Sequence, residues 1–167
     1  MFHVKPEYEF LETQIQKYGD ICQNNEKFID QSLVFLQELL DYNKLVNLVS
    51  RKDVENVVVN QWLHSLLALP AIPKDGITQV LDFGSGGGFP GILMATYFPN
   101  VKFTLVESVA KKSLFLETVS VSLGLENVKV LTKRVENLST NHRKRYDVVT
   151  ARAVTNLTQL WKWSVHL

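Results

Sequence analysis

The stretch VLDFGSGGGFPG, residues 80–91, decides the fold. Apolar residues bracket an aspartate, a glycine cluster follows, and Phe-Pro-Gly closes it. Five of the chain's eight glycines fall within eight consecutive positions. Glycine loses more backbone entropy on folding than any other residue, so such a cluster implies a backbone that turns where side chains are forbidden, or that something approaches closely. A plain tight turn needs one or two glycines; five point to a ligand at the backbone. QVLDF (79–83) reads as a short buried strand and GILMATYF as a helix, with Pro90 at the helix start, where its missing N–H costs nothing. Strand, glycine turn and helix in that order put the turn outside the carboxyl end of the strand, where doubly wound sheets bind their ligands.

The alternation continues downstream. VKFTLVE (101–107) is a second strand, AKKSLFLETVSVSLG (110–124) a helix ending at Gly124, VKVLT (128–132) a third strand and YDVVTA (146–151) a fourth. Strands alternating with helices predict βαβ units and a parallel sheet, and right-handed crossovers give the order 3-2-1-4. Upstream the pattern is helical. Pro6 opens a first helix carrying Phe10, Leu11, Ile15 and Tyr18. A second runs from about Asn25 to Val46 with the stripe Phe28, Ile29, Leu33, Leu36, Leu39, Leu40 and Val46, and NLVS (47–50) breaks it. A third starts at Asp53 as N-cap and runs through VENVVVNQWLHSLLAL, with Trp62, Leu63, Leu66 and Leu67 as core. PAIPKDG (70–76) connects it to the sheet. The expected organisation is a helical extension, 1–74, in front of a Rossmann-like core, 75–167, packed as one unit.

Composition narrows the function classes. Hydrophobic residues make up 46% and charged residues 21% of 167, as in ordinary globular domains, and the net charge is +1. A nucleic-acid surface must therefore be a local patch. Cys22 is the only cysteine, which fits a cytoplasmic location, and no stretch resembles a signal peptide or a membrane span. No metal ligand is nominated.

Two cofactor classes fit the turn. Gly86-x-Gly88-x-x-Gly91 matches the dinucleotide fingerprint and keeps a nicotinamide-dependent oxidoreductase open as the alternative. Asp82, two residues before Gly84, gives D-x-G-x-G instead; a carboxylate there suits a cationic or hydroxyl-bearing group rather than a pyrophosphate. Phe89 and Pro90 also crowd the helix start that would receive phosphates. D-x-G-x-G resembles the opening motif of S-adenosylmethionine-dependent methyltransferases. Glu107 ends the second strand, 23 residues after Gly84, where it can grip both ribose hydroxyls, a device both classes use. Arg152 follows the fourth strand, placed to pair with a cofactor carboxylate or an RNA phosphate.

Taken together, YNKLVNLVS, VLDFGSGGGFPGILMA, LVESVAKKSLFL, KRVENL and YDVVTARAVTNLTQL, from residue 42 to about 160, resemble one family. It is the bacterial small-subunit ribosomal RNA (guanine-N7) methyltransferase, also called glucose-inhibited division protein B. The resemblance implies a class I methyltransferase fold, S-adenosylmethionine as methyl donor, and N7 of a guanine in 16S ribosomal RNA, free or in the small subunit, as acceptor. It implies cofactor contacts from Gly84, Phe89, Val135, Glu136 and Arg152, joined by Asp82, Ser85, Gly86 and Glu107 from the turn and the second strand. Arg51, Lys52, Lys111, Lys112 and Arg152 are expected to meet RNA; the HRKR run at 142–145 is expected to lie at the opposite edge of the sheet, as a solvated face. No catalytic base is nominated. The third helix departs from the family pattern RHILDSL, with Gln61 in place of His and His64 in place of Asp; His64 is assigned no role. The chain stops soon after the fourth strand, so the last strands of the complete fold are expected to be missing. The sheet edge and Trp161 and Trp163 are then expected to lack partners and to favour self-association, and a non-catalytic RNA- or cofactor-binding chain is a further alternative.

Overall fold

The computed structural model describes residues 9–18, 22, 25–72, 76–138 and 142–167; the expected role of Pro6 lies outside them. At the centre is a four-stranded, all-parallel sheet: β1 (Gln79–Phe83), β2 (Lys102–Glu107), β3 (Val128–Thr132) and β4 (Val148–Ala151), in the order β3-β2-β1-β4. This is the order expected from the sequence. Parallel strands bury both faces, and the side chains of the central pair separate by parity onto two apolar clusters. Val80, Phe103 and Leu105 join the larger cluster, with the helices α5 (Gly91–Tyr97) and α6 (Ala110–Ser122). Leu81, Phe83 and Val106 face the other way, onto Val135, Leu138, Tyr146, Val149 and Ala151 and helix α7 (Leu157–Ser164).

The N-terminal helices complete the larger cluster. Helix α1 (Glu9–Gln16) buries Leu11 and Ile15; helix α2 (Glu26–Asn43) buries Phe28, Leu33, Phe35, Leu36, Leu39 and Leu40 along one stripe. Each such side chain contributes about 1.5–3 kcal/mol on leaving water. Asn25 caps α2 by accepting from the Phe28 N–H at 3.1 Å. Asn43 ends the helix: its Oδ1 accepts from the backbone N–H groups of Leu48 and Val49 at 2.7 and 3.0 Å, which folds NLVS back toward the sheet.

The third helix is not continuous. Its start is one turn earlier than expected: Ser50, not Asp53, is the N-cap of α3 (Arg51–Val54), accepting from the Asp53 N–H. A π-helical turn (Val58–Leu63), a short α4 (His64–Leu67) and a 3₁₀ turn (Leu69–Ala71) follow. The run Val57-Val58-Val59 is β-branched and weakly helical, so the ladder is easily broken there. Trp62 and Leu66 are core as expected, whereas Leu67 is exposed.

Candidate cofactor site

The turn after β1 is built so that its amides converge. Gly86 takes φ +52°, in the left-handed region that side chains avoid. In that conformation its N–H donates to Oε2 of Glu107 at 3.0 Å, and Oε1 of the same carboxylate accepts from the Val109 N–H at 2.8 Å. Glu107, 7% exposed, thus ties the glycine turn to the start of α6, and each oxygen keeps a lone pair for a further donor. Ser85 is spent inside the turn: its hydroxyl donates to the Asp82 carbonyl at 3.1 Å and its N–H to the Val106 carbonyl at 3.1 Å. Gly91 is required by close approach. A Cβ there would lie 2.7 Å from Oδ2 of Asp82 and 2.5 Å from the Leu105 side chain.

Asp82 lies beneath this turn, 1% exposed. One oxygen accepts from the Thr150 hydroxyl at 2.7 Å, a bond the strand register sets up, since Asp82 and Thr150 are partners in the β1–β4 ladder. The other, Oδ2, is buried without a hydrogen-bond partner. Burial pushes the carboxyl up to about 6, against the opposing pull of Thr150, Ser85, Arg152 and the Gly91 amide. An orphaned acceptor of this kind fits a ligand that brings positive charge or hydrogen-bond donors.

Arg152, one residue beyond β4, projects over the turn toward the N-terminal helices. Its guanidinium sits 5.6 Å from the Phe89 ring centroid, and its Nη atoms donate to the Asn60 carbonyl and the Gln61 side chain. Burial lowers its pKa, and the Asp82 and Asp53 carboxylates offset part of that. Phe89 is 4% exposed and packs on Phe35 at 5.0 Å, so its ring is largely spent on the core. Val135 and Glu136 form a 3₁₀ turn after β3; Val135 packs on the Leu81–Phe83–Val106 cluster and Glu136 is exposed.

The cations expected to meet RNA lie on segments that adjoin the glycine turn. Arg51 and Lys52 are exposed and lie just beyond Leu48, whose carbonyl would be 3.3 Å from a Cβ on Gly87. Lys111 and Lys112 stand in the first turn of α6, next to Val109. The HRKR run lies at the strand starts. Asp147, two residues past Arg145, accepts from the Thr78 and Gln79 N–H groups, and His142 bonds and stacks with Tyr146. His64 is exposed. Of the two tryptophans, Trp163 packs against the Leu81–Phe83–Val106 cluster, contrary to expectation, while Trp161 is 67% exposed.

Sequence reasoning did not single out Thr150, Asn60 or Gln61 as parts of the site. The β1–β4 register could have revealed Thr150, because parallel pairing of the two strands aligns it with Asp82. Asn60 and Gln61 meet Arg152 only through tertiary packing.

A parallel 3-2-1-4 sheet with a glycine turn after β1 and an acidic residue closing β2 defines a Rossmann-like α/β protein, an arrangement consistent with the class I methyltransferase architecture. Residues 29–167 match the model of the GidB family, rRNA small subunit methyltransferase G. Relatives named ribosomal RNA small subunit methyltransferase G include one from Neisseria meningitidis serogroup B, 43% identical over 83% of this chain and 64% of its own length. One from Fusobacterium nucleatum is 38% identical over 84% and 60%, and one from Porphyromonas gingivalis 40% identical over 72% and 53%. The chain belongs to the rRNA small subunit methyltransferase G family. It spans about three-fifths of the length of the first two of these relatives. Among solved structures, a mutant of MtNAS in complex with S-adenosylmethionine superposes on 83% of this chain and 57% of that chain at 18% identity, with a TM-score of 0.46, too slight a likeness to build on.

Proposed function

We propose that the chain carries the cofactor-binding part of an S-adenosylmethionine-dependent methyltransferase that modifies N7 of a guanine in small-subunit ribosomal RNA. Family membership supports the reaction class, and the buried, unpartnered Oδ2 of Asp82 is the observation that favours this cofactor. A dinucleotide would bring a pyrophosphate, which offers only acceptors and negative charge to a turn lying over a carboxylate. A sulfonium nucleoside brings an ammonium, a cationic sulfur and ribose hydroxyls.

In this reading Gly84 and Gly86 let the backbone lie against the ligand, Asp82 supplies negative charge beneath its cationic end, and Glu107 accepts from its ribose. Arg152 takes its carboxylate, and Val135 and Glu136 border the base. When bound, S-adenosylmethionine supplies an electrophilic methyl group. Guanine N7 carries a free lone pair in the neutral base, so no side chain has to remove a proton, and positioning carries the catalysis. N7 is on the major-groove edge, so the guanine must be exposed or flipped to reach the crevice.

Lys111 and Lys112 support an anionic partner. Two lysines in the first turn of α6, with no acidic residue there, oppose the helix dipole at a cost of about 0.3–1 kcal/mol each. With Arg51 and Lys52 they border the crevice with positive charge suited to RNA phosphates. Calorimetric titration with S-adenosylhomocysteine and with NADH tests the reading. The expected result is binding of the first and not the second; preference for the dinucleotide would discard it.

A further inference from the structure

Arg152 is oriented by the π-helical turn of the N-terminal helices more than by the strand that delivers it. β4 ends at Ala151, and the chain turns away through Ala153 at φ +55°. From there the guanidinium reaches across to residues 58–63. Nη2 donates to Oε1 of Gln61, Nη1 donates to the Asn60 carbonyl at 3.4 Å, and the Phe89 ring lies beneath. Asn60 is itself fixed, its Nδ2 donating to Oδ1 of Asp53 at 2.9 Å, while Oδ2 of Asp53 accepts from the Ser50 hydroxyl at 2.6 Å. A connected path thus runs from the cap of α3 to the guanidinium. π-helical turns cost regular hydrogen bonding and recur at functional sites, and this one, Val58–Leu63, contains both acceptors.

We propose that Gln61 is a positioning residue for the cofactor carboxylate: its side-chain oxygen and the Asn60 carbonyl fix the Arg152 guanidinium above the glycine turn, leaving its remaining donors for an anionic group. The inference rests on the cofactor reading given above. Arginine has five N–H donors, and these two bonds use two of them. It also has about 2 kcal/mol of rotamer entropy, so a guanidinium held before the ligand arrives binds at lower cost. A neutral acceptor suits the task. Gln61 orients the guanidinium without cancelling its charge, whereas a carboxylate at that position would compete with the ligand for it.

Calorimetry on this chain tests the assignment with two ligands, S-adenosylhomocysteine and 5′-methylthioadenosine, which lacks the amino-acid half. Gln61→Ala should weaken S-adenosylhomocysteine about tenfold, as expected for loss of one charge-assisted bond, and leave 5′-methylthioadenosine unchanged. Gln61→His, which keeps an acceptor, should stay within about threefold of wild type for both. Gln61→Glu should weaken S-adenosylhomocysteine selectively, and it carries the test if the alanine variant does not fold. In an Arg152→Met background Gln61→Ala should add nothing, the non-additivity expected of a residue that acts through another. Equal weakening of both ligands, or additive losses in the double variant, would make Gln61 a merely structural residue and overturn the proposal alone. Absence of S-adenosylhomocysteine binding by the wild type would overturn the cofactor reading and this proposal with it.

Discussion

Asp82 holds its proton more tightly in the folded chain than in the unfolded one, because burial raises its carboxyl to about 6 from an ordinary 3.8. The sign follows directly. Below the unfolded value both states are protonated and the group is neutral to stability; between the two values the folded state binds more protons, so stability falls as pH rises. Above 6 the loss is complete, on the order of 3 kcal/mol. Asp53 and Asp147, whose carboxyls are lowered by hydrogen bonds, act in the opposite direction, so the signal must be isolated by difference. Urea denaturation of wild type and Asp82→Asn from pH 4 to 7 should show the variant gaining on the wild type as pH rises; a flat difference would remove the buried charge from the account. Ionised Asp82 favours a cationic ligand, so S-adenosylmethionine affinity should rise through the same interval. The sequence made Asp82 visible through its spacing to Gly84. It could not show that the oxygen left over from the Thr150 bond lies buried against Gly91 without a hydrogen-bond partner, since that depends on how the glycine turn packs onto the strand.

The turn between α2 and α3 sets the distance between the N-terminal helices and the glycine loop. One side chain carries it: Oδ1 of Asn43 bonds two successive backbone N–H groups, Leu48 and Val49, and Leu48 touches the loop at Gly87. Asn43→Ala leaves both donors without this partner and should cost about 1–3 kcal/mol in denaturant unfolding. A loss below a few tenths would mean that water replaces the amide without strain. The regular elements were legible where hydrophobic period and punctuation agree. The bounds of β1 and β3 coincide with those read from the sequence, because short apolar runs flanked by glycine and polar turns leave little freedom. The segment 51–71 was not legible as it is. Its apolar residues keep a helical period, yet the valine run and the contacts of Asn60 and Gln61 with Arg152, 91 or more positions away, convert it into three short pieces and a π turn. No local pattern records a demand of that range.

One surface of the whole molecule has an apolar character that its interior does not require. Along α7 and its C-cap Val165, Leu157, Trp161 and Val165 recur every fourth position and are all exposed, whereas Leu160 and Trp163 turn inward. The stripe lies beside β4, which among the described residues pairs only with β1 and whose four residues are all half-buried. An open strand edge next to an aromatic stripe favours association, and we propose that two copies of the chain pair through it. Sedimentation velocity should show a concentration-dependent dimer that Trp161→Lys converts to monomer; a monomer at every concentration would contradict this. The glycine turn at the carboxyl end of β1 is the other feature with a proposed purpose. A crystal of the chain soaked with S-adenosylhomocysteine tests it most directly. Density should lie along Gly84 to Gly86, with the ribose on Glu107 and the carboxylate on Arg152. Density elsewhere, or a crevice left vacant at saturating ligand, would contradict the assignment and leave only the fold.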